Sequence, residues 1–221
     1  MPSGPQWDQA LRDVALWIIE SGTRTVDGVA PIVQAGHPAL RAVATPYDGQ
    51  LSDEELAALL DVMHRTMLAA PGVGLAAPQL GLPVALAVLE DPGTASDEHA
   101  QVREREPLPY RVLVNPRYTP VGDERVGFYE GCLSVVGYQA VVPRARHVHL
   151  TATDERGDVV DEIVGGWSAR IVQHETDHLA GTLYLDRAEL RSLAATDELG
   201  GRWAAEPKPA AAARALGFSL D

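Results

Sequence analysis

The sequence predicts an α+β fold: mixed, mostly antiparallel strands around a late central helix. Three observations predict it. Short β-rich runs separated by turn residues fill the middle of the chain. Helical patterns are few, with one well signalled before the strands and one after them. The late helix carries the run Gln173-His174-Glu175-Thr176-Asp177-His178. On a helix, residues four apart fall about 40° apart around the axis and one turn up, so His174 and His178 can point side by side. Two imidazoles at that spacing can grip one metal ion, with Glu175 beside them as a candidate general base.

A chain of 221 residues is most simply one domain with terminal extensions. The expected division is an N-terminal helical extension over 1–30, a metal-dependent domain over 31–187 and a C-terminal tail over 188–221. A hydrophobic content of 46% is ample for a core, and only two Phe among many Val, Leu and Ala make it aliphatic. The net charge of −13 argues against direct nucleic-acid binding, which needs a basic surface. No apolar run approaches the roughly 20 residues of a membrane helix, and no secretory signal is visible. Cys132 is the single cysteine, so no internal disulfide can form and a cytoplasmic location is expected.

Taken in order, Trp7, Leu11, Val14, Ala15 and Ile18 recur at helical spacing and predict an amphipathic helix over about 7–20, ended by Gly22. His37 beside Pro38 reads as a turn residue. Ser52 with Glu55 forms a capping box, and Leu56, Leu59, Leu60, Met63 and Met67 make one apolar stripe that Pro71-Gly72 stops. His64 lies on that helix with no partner signature. The Gly72-Val73-Gly74 turn permits close approach of another chain segment, and Gln79 can donate a hydrogen bond to a developing oxyanion.

Strands are expected at Val84–Leu89, Arg111–Asn115, Ala140–Val142, His147–Thr153 and Val159–Val164. The polar segment 91–109 reads as a surface loop, and 154–158 as a hairpin turn. His147 and His149 should share one strand face, most simply the solvent face. The metal helix should run from about Gly166 to Ala180 with Gly181 as its cap. Beyond Asp186 lie one weak helical pattern, a Pro-bracketed break and an alanine-rich end.

The two-histidine motif alone leaves the hydrolase class open. The metzincin extension fails, because Tyr184 stands where the third histidine belongs. A metalloendopeptidase would need a downstream carboxylate, and Glu189 or Glu198 can be nominated without a supporting motif. Cys132, set among small residues, is the other candidate ligand. A non-catalytic metal or peptide-binding module is the third alternative, but it would need neither Glu175 nor Gln79.

Together, Gly72-Val73-Gly74-Leu75-Ala76-Ala77-Pro78-Gln79, Glu130-Gly131-Cys132-Leu133-Ser134 and His174-Glu175-Thr176-Asp177-His178 resemble the three motifs of bacterial peptide deformylases, in the family's order and with similar spacing. Gly36-His37-Pro38-Ala39-Leu40-Arg41 is similar to the family's N-terminal signature. The Arg-rich, Ala-rich composition, with Lys208 the only lysine, looks actinobacterial. The resemblance implies hydrolysis of the formyl group from the N-terminal formyl-methionine of new polypeptides, releasing formate. It implies Cys132, His174 and His178 as metal ligands, Glu175 as base, and the Gln79 amide and Leu133 N–H as oxyanion donors. The implied metal is Fe²⁺, with Zn²⁺, Ni²⁺ or Co²⁺ as substitutes, although ligand softness by itself suits zinc. An apolar pocket for methionine is expected from Val73, Phe128, Trp167 and Ile171, and main-chain contacts from Gly74. The implied partners are N-formyl-methionyl nascent chains and, transiently, the ribosome. The tail mixes Arg202, Lys208 and Arg214 with Glu198, Glu206 and Asp221, so it does not match a basic ribosome-docking helix. Val136 and Gln139 stand where many relatives carry Pro and Arg, which removes one polar contact to the substrate backbone.

Overall fold

The structure, a computed structural model, describes residues 5–220, with side chains from residue 9 onward. Trp7 and Asp221, named above, lie outside the described side chains.

Helix α1 spans Pro5–Arg24 and α2 spans Asp53–Ala69. Ser52 caps α2 through the expected box, with Glu55 bonded back to the Ser52 N–H at 2.9 Å. Leu11, Ala15 and Ile18 join Leu56, Leu59, Met63 and Met67 in one buried cluster, so α1 packs on α2 as part of the main core. Gly22 does not end α1, which runs one residue pair further. A Cβ there would meet Val62 at 2.6 Å, so the glycine permits the close crossing of the two helices.

Strands β1 (Gly74–Ala76), β2 (Leu86–Asp91), β3 (Leu108–Pro120), β6 (His147–Thr153) and β7 (Val159–Gly165) form an antiparallel sheet in the order β1-β2-β3-β6-β7. Strands β4 (Arg125–Cys132), β5 (Val135–Ala145) and β8 (Ala194–Ala195) form a second sheet. Helix α4 (Gly166–Leu179) lies against β1, β2 and β3 and also reaches β5. Its Ala169, Ile171 and Val172 pack with Leu89, Leu113, Val148 and Leu150. The α+β expectation holds.

Several expected boundaries shift. Strands β3 and β5 extend well past 111–115 and 140–142, because Arg, Tyr and Gln at their ends still pair through the backbone. Segment 91–109 is not all loop: α3 spans Asp97–Arg103. Ser96 caps it by accepting the His99 N–H at 3.3 Å, and Asp97 and Glu98 suit the positive end of the helix. The hairpin at 154–158 forms as expected, with Asp154 Oδ1 accepting the Arg156 and Asp158 N–H groups at 2.9 and 2.8 Å. After β8 come α5 (Thr196–Arg202) and α6 (Ala210–Leu216). No helix among the described residues is long and apolar enough to cross a membrane.

Candidate metal centre and cleft

Strand β4 alternates its side chains across the sheet, so Phe128, Glu130 and Cys132 share one face. That face turns toward α4, whose His174 and His178 stack one turn apart with ring centroids 5.1 Å from each other. Cys132 Sγ lies 3.3 Å from His178 Nε2. One donor atom each from Cys132, His174 and His178 falls within a 4.8 Å cluster. Among the described residues this is the one cluster with the makings of a metal site, and neither Glu189 nor Glu198 belongs to it. A thiolate and two imidazoles, brought together at the base of a cleft, suit a divalent transition metal. The residues present fit such an ion.

The histidines are not held by α4 alone. Glu130 Oε2 bonds His174 Nδ1 at 3.0 Å, leaving Nε2 for the cluster, and Tyr184 stacks on the same imidazole. Glu130 is itself gripped by Arg144 at 2.7 and 2.9 Å and by Arg170 at 2.5 Å. Arg144 continues to Asp177 at 2.7 Å, where Arg187 and Tyr118 also converge. Burial alone would raise the Glu130 carboxyl, but Arg144 and Arg170 overcome it and hold Glu130 well below the usual carboxylate range. For His174, burial opposes charge, while hydrogen bonds that it donates to Cys132 and Glu130 outweigh it and push the imidazole up. Burial pushes His178 down, with His174 adding to the effect. Gln173 anchors the helix to β5 through both the Ala145 N–H and C=O.

Glu175 occupies the turn between the two histidines and is 4% exposed. Its Oε2 has no hydrogen-bond partner among the described residues, and burial pushes its carboxyl up to about 7. The neighbouring glycine explains itself here. A Cβ on Gly74 would sit 2.6 Å from Glu175 Cδ, so only glycine lets β1 pass beside the carboxylate.

Gln79 follows β1 in a short 3-10 turn. Its Oε1 accepts the Ala76 N–H at 2.8 Å, which turns Nε2 toward Cys132 Sγ (3.6 Å) and Ser134 Oγ (3.4 Å). Leu133 sits in the β4–β5 turn, and its N–H bonds to no protein acceptor among the described residues. Both donors therefore lie beside the cluster. A cleft of about 800 Å³ opens over them, lined by Val73, Gly74, Trp167 and Ile171 as well as His174 and Glu175. Phe128 is buried behind this lining and meets the Trp167 ring edge-on at 6.0 Å. Val136 is exposed at the rim, and Gln139 lies against Gly131.

Some residues of the centre escaped the sequence reading. Glu130 stands two residues before Cys132, so strand alternation alone marks it as facing the same way. Asp177 sits inside the motif. Arg144 and Arg170 carry no local signal, because their partners are distant in the chain. Val29, Ala30 and Thr196 also line the cleft, so both terminal segments reach it. The other histidines stay out of it. His37 caps a turn by accepting the Ala39 N–H, His149 pairs with Asp161, and His64, which had no partner signature, pairs with Glu90 and Tyr110.

Comparison with known proteins agrees with this geometry. The family model described as "Polypeptide deformylase" matches residues 29–193. A Streptomyces avermitilis protein named "Peptide deformylase 3" is 58% identical over 193 residues, covering 87% of this chain and 86% of that one. The "Peptide deformylase, mitochondrial" of Homo sapiens is 40% identical over 166 residues, covering 73% and 68%. Among solved structures, the Met-Ala-Ser-bound class I type b peptide deformylase of Acinetobacter baumannii superposes with a TM-score of 0.65. It is 33% identical, with 72% of this chain and 98% of that one covered. Motifs, fold and relatives converge: the chain belongs to the polypeptide deformylase family.

Proposed function

We propose that Cys132, His174 and His178 hold one divalent metal ion, Fe²⁺ first, with Zn²⁺, Ni²⁺ or Co²⁺ able to replace it. Members of this family are metal-dependent hydrolases that remove the N-formyl group from nascent chains. The observation that carries the assignment is the three-donor cluster, whose two histidines share a helix turn with a buried Glu175 whose Oε2 has no hydrogen-bond partner among the described residues. When bound, such an ion makes water acidic near neutrality and withdraws electrons from a carbonyl oxygen. The preference for iron rests on the family resemblance, since the donor set also suits zinc.

Each residue then has a role in the reaction. Glu175 takes a proton from the attacking water and later gives it to the departing amine, a task suited to a carboxyl pushed up to about 7. Attack at the formyl carbon leaves a tetrahedral oxyanion. Gln79 Nε2 and the Leu133 N–H donate to it, each donor typically worth about 3–4 kcal/mol in the transition state. Collapse breaks the carbon–nitrogen bond, and formate and a free N-terminal amine leave. Gly74, on the short edge strand β1, offers main-chain groups to an extended peptide. Val73, Trp167 and Ile171 line the pocket for the methionine side chain, with Phe128 supporting Trp167 from behind.

Residues 31–187 carry the chemistry, and 1–30 and 188–221 flank it. The site of action follows from the substrate: the cytoplasm, with transient ribosome contact while a formylated chain emerges. A net charge of −13 speaks against direct nucleic-acid binding.

The test is anaerobic purification followed by metal analysis and a formate-release assay with a formyl-Met tripeptide. Near-stoichiometric iron together with formate release is expected. The Cys132→Ala protein should lose both. Full metal occupancy and activity in Cys132→Ala would remove the cysteine from the site.

A further inference from the structure

Helix α3 delivers a cation to the cleft that the deformylation chemistry does not use. Arg103, the last residue of α3, lines the same cleft as Cys132, Gln79 and Glu175. Three guanidinium groups surround the Trp167 ring, with Cζ atoms at 5.2 Å (Arg103), 5.3 Å (Arg105) and 5.6 Å (Arg170). Two of them are satisfied. Arg105 makes a two-pronged pair with Asp91, at 2.8 Å on both prongs, and Arg170 is held by Glu130. Arg103 has no carboxylate partner among the described residues. Its Nε donates to the Pro207 carbonyl at 3.1 Å, which leaves both terminal nitrogens without a protein acceptor. Burial and the nearby Arg105 both disfavour its charge, and no carboxylate among the described residues offsets them.

The indole N–H of the neighbouring Trp167 is closed to the cleft. Trp167 Nε1 is buried and has no hydrogen-bond partner among the described residues. A buried N–H without an acceptor is uncommon in folded proteins. Arg103 reaches one wall of the cleft, where it lies over both the Trp167 ring and the Phe128 ring, the aromatic pair assigned above to the methionine pocket. An unbranched alkyl side chain entering that pocket would leave the Arg103 terminal nitrogens unmatched. A side chain ending in an acceptor would match them. The methionine sulfur is a weak acceptor, and a sulfoxide oxygen is a strong one.

We propose that Arg103, set over the Trp167 and Phe128 rings, is a specificity-determining residue that recognises an acceptor atom at the end of the substrate's first side chain. Arg103 thereby extends the substrate class to formyl peptides whose first residue is methionine sulfoxide. This inference rests on the deformylase reading and adds a residue outside the three motifs. The Arg103 guanidinium donates through its free terminal nitrogens, and the aromatic walls accommodate the unchanged alkyl stem. No oxidation is performed by the protein, since the sulfoxide arrives with the substrate.

The experiment compares formyl-Met-Ala-Ser, formyl-Met(sulfoxide)-Ala-Ser and formyl-norleucine-Ala-Ser on the metal-loaded full chain. It uses formate release and the kcat/KM ratio of the sulfoxide to the norleucine peptide within each protein. The wild type should process the sulfoxide peptide within about tenfold of the methionine peptide. Arg103→Leu should lower the sulfoxide-to-norleucine ratio about tenfold, the scale of one charge-assisted hydrogen bond. Because the ratio is internal to each protein, a general loss of activity or stability does not mimic the effect. A ratio unchanged in Arg103→Leu overturns the proposal, as does a wild type that turns over norleucine as well as methionine but rejects the sulfoxide. Absence of formate from formyl-Met-Ala-Ser itself would instead strike the underlying deformylase reading.

Discussion

At the scale of the residue, Glu130 does more than fill a strand position. It is buried, bonds His174 Nδ1, and is clasped by two buried arginines. Removing one member of such a network leaves charges stranded away from water, at a typical cost of about 3–5 kcal/mol. The Glu130→Gln protein should lose stability on that scale in urea unfolding. Its metal affinity should fall about 10–100-fold in a competition titration, because the imidazole loses its orienting carboxylate. Unchanged affinity would show that α4 alone fixes His174. Much of this scale was open to reading from the sequence. The proposed ligands, Glu175, Gln79 and Leu133 each sit in a compact motif, and the structure brings those motifs to one cleft. Arg144, Arg170 and Arg103 were not legible, because their meaning lies in partners brought near by sheet pairing and helix docking.

At the scale of the element, α1 and α3 show what periodicity can and cannot report. The stripe of α1 was visible, yet a role for it was not, because packing against α2 involves residues some forty positions away. Ile18 is fully buried in the shared cluster, so Ile18→Ala should cost about 2–5 kcal/mol in urea unfolding. A loss below about 0.5 kcal/mol would mean that α1 is an appendage. Helix α3 has no buried residue and hence no apolar stripe to detect. Its only signal was Ser96 followed by two acids, a cap without a core-facing pattern. Strand lengths were underread for a related reason: the ends of β3 and β5 carry polar side chains while their backbones remain paired.

At the scale of the whole molecule, Val29, Ala30 and Thr196 bring the flanking segments to the cleft, and a few ion pairs fasten distant segments together. Arg41, after the short turn at 38–40, pairs with Asp186, beyond α4. A hydrogen bond and the charge of Arg41 hold the Asp186 carboxyl below its ordinary value. A lowered folded-state pKa means that the contribution is complete above the unfolded carboxylate value near 3.8 and fades as pH falls through the folded one. Arg41→Ala should therefore be slightly less stable than wild type at pH 7, and the gap should close below about pH 4 in parallel unfolding curves. A gap that widens in acid would contradict the assignment. The central claim is that Glu175, between two metal-binding histidines, moves the proton that formyl hydrolysis requires. Its most direct measurement is the kcat of metal-loaded Glu175→Gln on a formyl-Met tripeptide, with metal content checked in the same sample. The account predicts full metal occupancy and a kcat lowered about 10²–10⁴-fold. A variant that keeps its metal and releases formate at the wild-type rate would contradict it.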